Sequence, residues 1–229
     1  MVVNFKFFIG ILFLFAYTSV CIAKDIEVHA VDYPPYTSPT IQNNGVAFDS
    51  LYKLTLNSDI SIKPRFLPPA RVGLELSRGN WCLSFVPPAI ILDTHERLTL
   101  KDTNIDIVFV RKNRTEPFKW NKLSELAGLK LGFLRTYKRE SILTNAIEES
   151  DIVIVGIETL QQGLELLDKE RVDILLADKV SIEYLASILE LPKGNFQYSE
   201  NVIEHLTLGV WLNLKCDAAL KVKSISNGS

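Results

Sequence analysis

The sequence predicts an α/β chain whose mainly parallel sheet is covered by helices on both faces. Two observations carry that expectation. Short apolar runs alternate with amphipathic helical segments along the whole chain, a pattern that calls for crossover connections. In the best example, Lys130–Leu134 and Val172–Asp178 flank an amphipathic helix and run into polar groups: Arg135, Thr136, Tyr137 and Lys138 after the first, and Asp178 at the end of the second. In open α/β sheets the carboxyl ends of strands are where ligands bind.

The elements follow in order. Ile26–Val31 reads as a strand stopped by Asp32-Tyr33-Pro34-Pro35-Tyr36, because two prolines remove ladder donors and force a turn. A loop over Ser38–Gly45 precedes a helix whose face is Phe48, Leu51, Tyr52, Leu54 and Thr55. Ile60–Phe66 alternates as a strand up to Pro68-Pro69, and a helix built on Val72, Leu74 and Leu76 stops at Gly79-Asn80. Trp81–Val86 is a buried strand cut off by Pro87-Pro88, and Ile105–Val110 is an apolar strand leaving through Arg111-Lys112-Asn113-Arg114. A short helix over Trp120–Ala127 stops at Gly128. Next come a strand at Leu129–Leu134, a helix from about Lys138 to Glu149, and a strand at Ile152–Val155. Leu160, Leu164 and Leu167 share a helix face before the strand Val172–Leu176. Ser181–Leu189 is a helix closed by Pro192 and Gly194, and Leu206–Leu214 is a final strand. The two long apolar strands, near 105–110 and 206–214, are placed to cross between two lobes. The resulting division is 24–110 and 201–229 for the first lobe and 111–200 for the second.

The N-terminus reads as a secretion signal over residues 1–23. Lys6 supplies the positive region, Phe7–Tyr17 the apolar one, and Cys21-Ile22-Ala23 a small-x-small cleavage site. The alternative, a membrane anchor, wants a longer run of about 20 apolar residues. Val20 stands where lipidation at Cys21 would need a small residue. Roughly 200 residues remain, enough for one large domain or two small lobes. The formal net charge of −2, one unit more negative without Lys6, argues against nucleic acid or an anionic membrane as partner. Cys82 and Cys216 then form an even pair, which in an exported protein reads as a disulfide and otherwise as two buried thiols. His29, His95 and His205 lack metal-ligand spacing, and no phosphate loop, nucleophile elbow or Cys/His pairing occurs. Neither a metal nor a cofactor is expected.

Five motifs resemble the bacterial extracellular solute-binding proteins of the amino-acid type, family 3. They are Tyr33-Pro34-Pro35-Tyr36; Pro69-Ala70-Arg71 with Ser77-Arg78-Gly79-Asn80; Asp93-Thr94-His95-Glu96-Arg97; Lys122-Leu123-Ser124-Glu125-Leu126-Ala127-Gly128; and Val172–Asp178. Their order spans nearly all of the chain after residue 23. The resemblance implies a two-lobed periplasmic-binding-protein-like fold (type II) with two hinge strands. It further implies a monomer that captures a small solute, an amino acid or related carboxylate, for a membrane permease or a sensor. Carried over residue by residue, it puts Arg97 on a ligand carboxylate and Asp178 on a ligand ammonium. Thr136 and Tyr137 fall in the turn that helps hold the carboxylate, and Tyr33 and Tyr36 form the aromatic wall.

The chain departs from the family in three places. Ala89-Ile90-Ile91-Leu92 is apolar where small polar residues are usual, and Arg135-Thr136-Tyr137 lacks the turn glycine. The chain also ends 13 residues past Cys216, short of the helix or two that members usually carry there. Other readings of the same residues stand beside these roles. Arg97 is equally suited to a surface or interlobe salt bridge, and Asp178 to capping the helix at Val180-Ser181. Arg71 and Arg135 either add positive charge to a cleft or are solvated. Of Tyr33, Tyr36, Phe48 and Trp81, only the two loop tyrosines are expected to face a ligand. Two rival functions remain open. A dehydratase-like enzyme would depend on His95 and Glu96 as the acid/base pair, and a divergent sensor or interaction protein would need no transport role.

Overall fold

The computed structural model describes residues 24–135, 145–147 and 149–228. Residues 1–23, read as a secretion signal, and most of the helix expected over 138–149 lie outside the described residues. The strands are β1 (Lys24–Ala30), β2 (Ile60–Phe66), β3 (Leu83–Ser84), β4 (His95–Lys112), β5 (Lys130–Leu134), β6 (Val153–Ile157), β7 (Ile174–Asp178) and β8 (Phe196–Asn213). The helices are α1 (Val46–Thr55), α2 (Pro69–Ser77), α3 (Leu160–Asp168), α4 (Lys179–Ile188) and α5 (Asp217–Asn227).

The strands hydrogen-bond into one sheet in the order β2-β1-β3-β8-β4-β7-β5-β6. Expected as mainly parallel, the sheet is mixed. β1 is parallel to β2 and β3, and β5 to β6 and β7, but β8 is antiparallel to β3 and β4, and β4 to β7. The reason is the pair β4 and β8. Each is 18 residues long, and they run antiparallel from His95↔Asn213 to Lys112↔Phe196, through register shifts beginning at Thr99/Lys101. This pair joins the two parallel ends of a two-lobed fold.

Period-two alternation explains why the sheet is buried on both sides. Along β4, Ile107 and Phe109 pack with Leu131, Phe133, Ile174 and Leu176, while Val108 and Val110 pack with Leu175, Ala177 and the α3 face Leu160, Leu164 and Leu167. At the other end, Ile26, Val28 and Ala30 of β1 pack with Phe48 and Leu51 of α1 and with Ala218, Ala219 and Val222 of α5. Gly163 permits the α3 contact, since a Cβ there would sit 2.5 Å from Ile157 Cδ1 and 2.6 Å from Leu175 Cδ1.

Several expected elements differ. The strand read over Trp81–Val86 shrinks to Leu83–Ser84, because Trp81 turns away to pack with Val72 and Leu76 and donates its indole N–H to Leu76 O at 3.1 Å. The helix read over Trp120–Ala127 is a single 3-10 turn, Leu123–Leu126. Cys82 and Cys216 are bridged, with Cα atoms 5.4 Å apart. Cys216 lies just ahead of α5, and that helix occupies the terminal stretch expected to be short of one.

Candidate functional site

The turn after β1 is the first part of the site. Backbone bonds close it from Tyr33 N to Thr37 O (2.7 Å) and from Thr37 N to Tyr33 O (3.1 Å), and Thr37 Oγ1 donates to Val31 O at 2.8 Å. The turn is docked on the start of α1, whose Val46 and Ala47 N–H groups donate to the carbonyls of Pro35 and Tyr36 at 3.1 and 2.9 Å. These are donors that a helix N-terminus otherwise leaves open. Gly45 is required at this junction. Its φ of +96° belongs to the region favouring glycine, and a Cβ would meet Tyr36 O at 2.5 Å.

The turn presents Tyr33 and Tyr36 as a stacked pair, centroids 6.2 Å apart. Their hydroxyls reach the far end of the sheet: Tyr33 donates to Asp178 Oδ2 and Tyr36 to Asp178 Oδ1, each at 3.1 Å. Asp178 ends β7 and caps α4, accepting from Ser181 N at 2.9 Å. It is 2 % exposed. Burial, then the charge and hydrogen bond of Asp178, raise the Tyr36 phenol well above its ordinary range. Tyr198 is pushed up to about 12 by burial, with Glu183 and Asp178 adding to it.

Arg97 lies near the start of β4, opposite Trp211 of β8. Its guanidinium donates to Thr207 Oγ1 at 2.8 Å and also to Thr207 O. Gly209 makes room for it: a Cβ there would stand 3.1 Å from Arg97 Cζ and 2.7 Å from Leu98 O. Arg97 is reached by solvent, yet its surroundings desolvate it enough to lower its pKa, against the opposing charge of Glu204. As a guanidinium it stays protonated at neutral pH.

Tyr33, Tyr36 and Arg97 line one cavity of about 930 Å³. Its other walls are largely apolar, with Phe85, Ile105, Ile107, Trp120, Leu206 and Trp211 among them, and Glu204 beside Arg97. The Trp120 indole N–H is buried, with no hydrogen-bond partner among the described residues. Asp178 does not line this cavity; the tyrosines that donate to it do. Arg71 is exposed on α2 and Arg135 pairs with Glu158 at 2.7 Å, so neither lines the cavity. Thr136 and Tyr137 lie outside the described residues. Phe48 and Trp81 are core side chains at 0 % and 4 % exposure.

Sequence reasoning missed Trp120, Trp211, Glu204 and Gly209. Trp211 and Gly209 fall inside the final expected strand, where alternation against Arg97 was the available signal. Among the described residues no group of three His, Cys, Asp or Glu is placed to hold a metal ion. No described helix is long and apolar enough to cross a membrane.

The architecture is that of the two-lobed periplasmic binding proteins. Among solved structures, holo ArgBP from T. maritima superposes with a TM-score of 0.65 at 12% identity, over 89% of this chain and 89% of that one. The GluR0 ligand-binding core from Nostoc punctiforme in complex with L-glutamate gives 0.64 at 12%, over 89% and 92%. An ancestral arginine-binding protein bound to glutamine gives 0.63 at 13%, over 89% and 91%. At these identities the likeness establishes the fold. No protein-family model and no curated protein matches the sequence.

Proposed function

We propose that this chain is an exported solute-binding protein of the amino-acid type, without chemistry of its own, that captures a small carboxylate-bearing solute between its lobes for uptake or sensing. The observation that carries the reading is the cavity of about 930 Å³ with Arg97 on its wall and both loop tyrosines at its edge. Guanidinium forks suit carboxylates, and a closing, water-poor cleft strengthens the contact. Residues 111–200 move as one body on the β4/β8 pair, and closure delivers the solute to a permease or sensor. Export to the periplasm is supported by the Cys82–Cys216 bridge, a bond that persists in oxidising compartments. The superposed structures, a glutamate-bound ligand-binding core and an arginine-binding protein, support the same ligand class.

The enzyme alternative loses its acid/base pair to other work. Glu96 accepts from Lys223 Nζ at 2.6 Å, and His95 Nδ1 accepts from Leu92 N at 3.3 Å. Neither lines the cavity. One observation favours the interaction-protein alternative: Ile90, Ile91 and Leu92 are 73%, 55% and 48% exposed.

A thermal-shift panel of amino acids, small carboxylates and amines, read in parallel by Trp120 and Trp211 fluorescence, tests the proposal. A solute at a hundred times its Kd adds about 2.7 kcal/mol of stability. A flat response across the panel would leave the interaction-protein reading in its place.

A further inference from the structure

Resting on the solute-binding reading, we propose that the cavity selects an apolar carboxylate lacking an α-ammonium group, rather than an α-amino acid. The acid that would take the ammonium is already occupied. Asp178 is buried, holds the first turn of α4 through Ser181 N, and receives both tyrosyl hydroxyls. It has no face on the cavity.

Arg97, which does face the cavity, is a donor with capacity to spare. Arg97 uses two N–H groups on Thr207 and has three left. Thr37 donates its hydroxyl to Val31 O and Thr207 accepts from Arg97, so the acceptor capacity that the two keep is neutral. Glu204, the one carboxylate on the wall among the described residues, is exposed as Arg97 is, and its charge already acts on that guanidinium. A ligand ammonium would therefore enter a largely apolar chamber and lose its hydration with no buried carboxylate facing it among the described residues, which is unfavourable. A carboxylate meets Arg97, and an apolar body meets Phe85, Ile105, Ile107 and Trp211.

Matched pairs measured by calorimetry on the disulfide-bonded protein test this: 3-phenylpropionate against phenylalanine, and 4-methylpentanoate against leucine. The desamino member of each pair binds about tenfold or more tightly, and Arg97→Gln removes that binding. The Tyr33→Phe, Tyr36→Phe double variant frees Asp178 and shifts preference toward the amino acid. Phenylalanine or leucine binding as tightly as its desamino partner overturns the inference, as does 3-phenylpropionate affinity unchanged in Arg97→Gln. If neither pair binds while another solute in the panel gives a saturable shift, the ligand class is wrong and the solute-binding reading survives. If nothing in the panel binds, both fall together.

Discussion

Tyr33 and Asp178, 145 residues apart in sequence, are joined by a 3.1 Å hydrogen bond from the phenol to the carboxylate. Tyr36 makes a second one at the same distance. The first strand's turn is thereby fastened to the start of α4. Asp178, which the sequence reading places on a ligand, ties the two parallel ends of the sheet together. Both roles read for Asp178 from its position depend on the same geometry at a strand's carboxyl end. The capping role is the one its contacts fill.

Replacing Asp178 by Ala removes a helix cap and the carboxylate to which two half-buried tyrosyl hydroxyls donate. Caps contribute about 0.5–2 kcal/mol and hydrogen bonds to charged groups about 1.5–3. Urea denaturation of Asp178→Ala should show a loss of about 2–4 kcal/mol, and Tyr33→Phe a smaller one. Stability within about 0.5 kcal/mol of the parent would show that Asp178 is dispensable to the fold.

The tyrosines also set an alkaline limit. Burial is the first cause that holds the Tyr36 and Tyr198 phenols above their ordinary value of 10.0, so the folded state resists losing their protons. Unfolding releases them. Their contribution is fully present below pH 10 and is lost as pH rises from there through the folded values, about 12 for Tyr198. Denaturant titrations from pH 8 to 11.5 should show stability falling above pH 10, with a shallower fall in Tyr36→Phe. Identical slopes would place Tyr36 in ordinary solvent.

Much of this frame was legible in the sequence because local signals agreed. Ile60–Phe66 alternates and ends at prolines, and Leu160, Leu164 and Leu167 fall on one helical face; both are found in place. Other elements are set by partners. β4 begins at His95, ten residues before its apolar run, because β8 supplies a ladder for the polar stretch Glu96–Asn104. α5 escaped notice because it buries only Ala218, Ala219 and Val222, a faint apolar stripe among lysines. The cavity wall was harder still. Trp120, Glu204 and Trp211 come from distant segments that only the folded sheet brings together, whereas Tyr33 and Arg97 carried motif context of their own.

The Cys82–Cys216 bridge closes a loop of sequence separation 134 and holds α5 against the β3 region. In the chain-entropy picture such a loop is worth about 4–5 kcal/mol. Thiol titration of denatured, unreduced protein should find neither cysteine free, and a Cys82→Ser, Cys216→Ser double variant should lose stability on that scale. Two titratable thiols would remove the bridge from the account.

Gly209 governs where Arg97 can lie. An alanine Cβ would stand 2.7 Å from Leu98 O, a backbone atom with little freedom to move, and 3.1 Å from the guanidinium carbon. The strands β4 and β8 must then separate locally or Arg97 must leave Thr207. Overpacking of this kind typically costs about 1–3 kcal/mol. Because the displaced group is the cavity's cation, Gly209→Ala should also weaken carboxylate binding toward the level of Arg97→Gln, while Gly163→Ala, overpacked away from the cavity, should lower stability and spare affinity. Calorimetry on the two glycine variants separates the cases: equal affinity in both would mean that the position of Arg97 does not matter to the ligand.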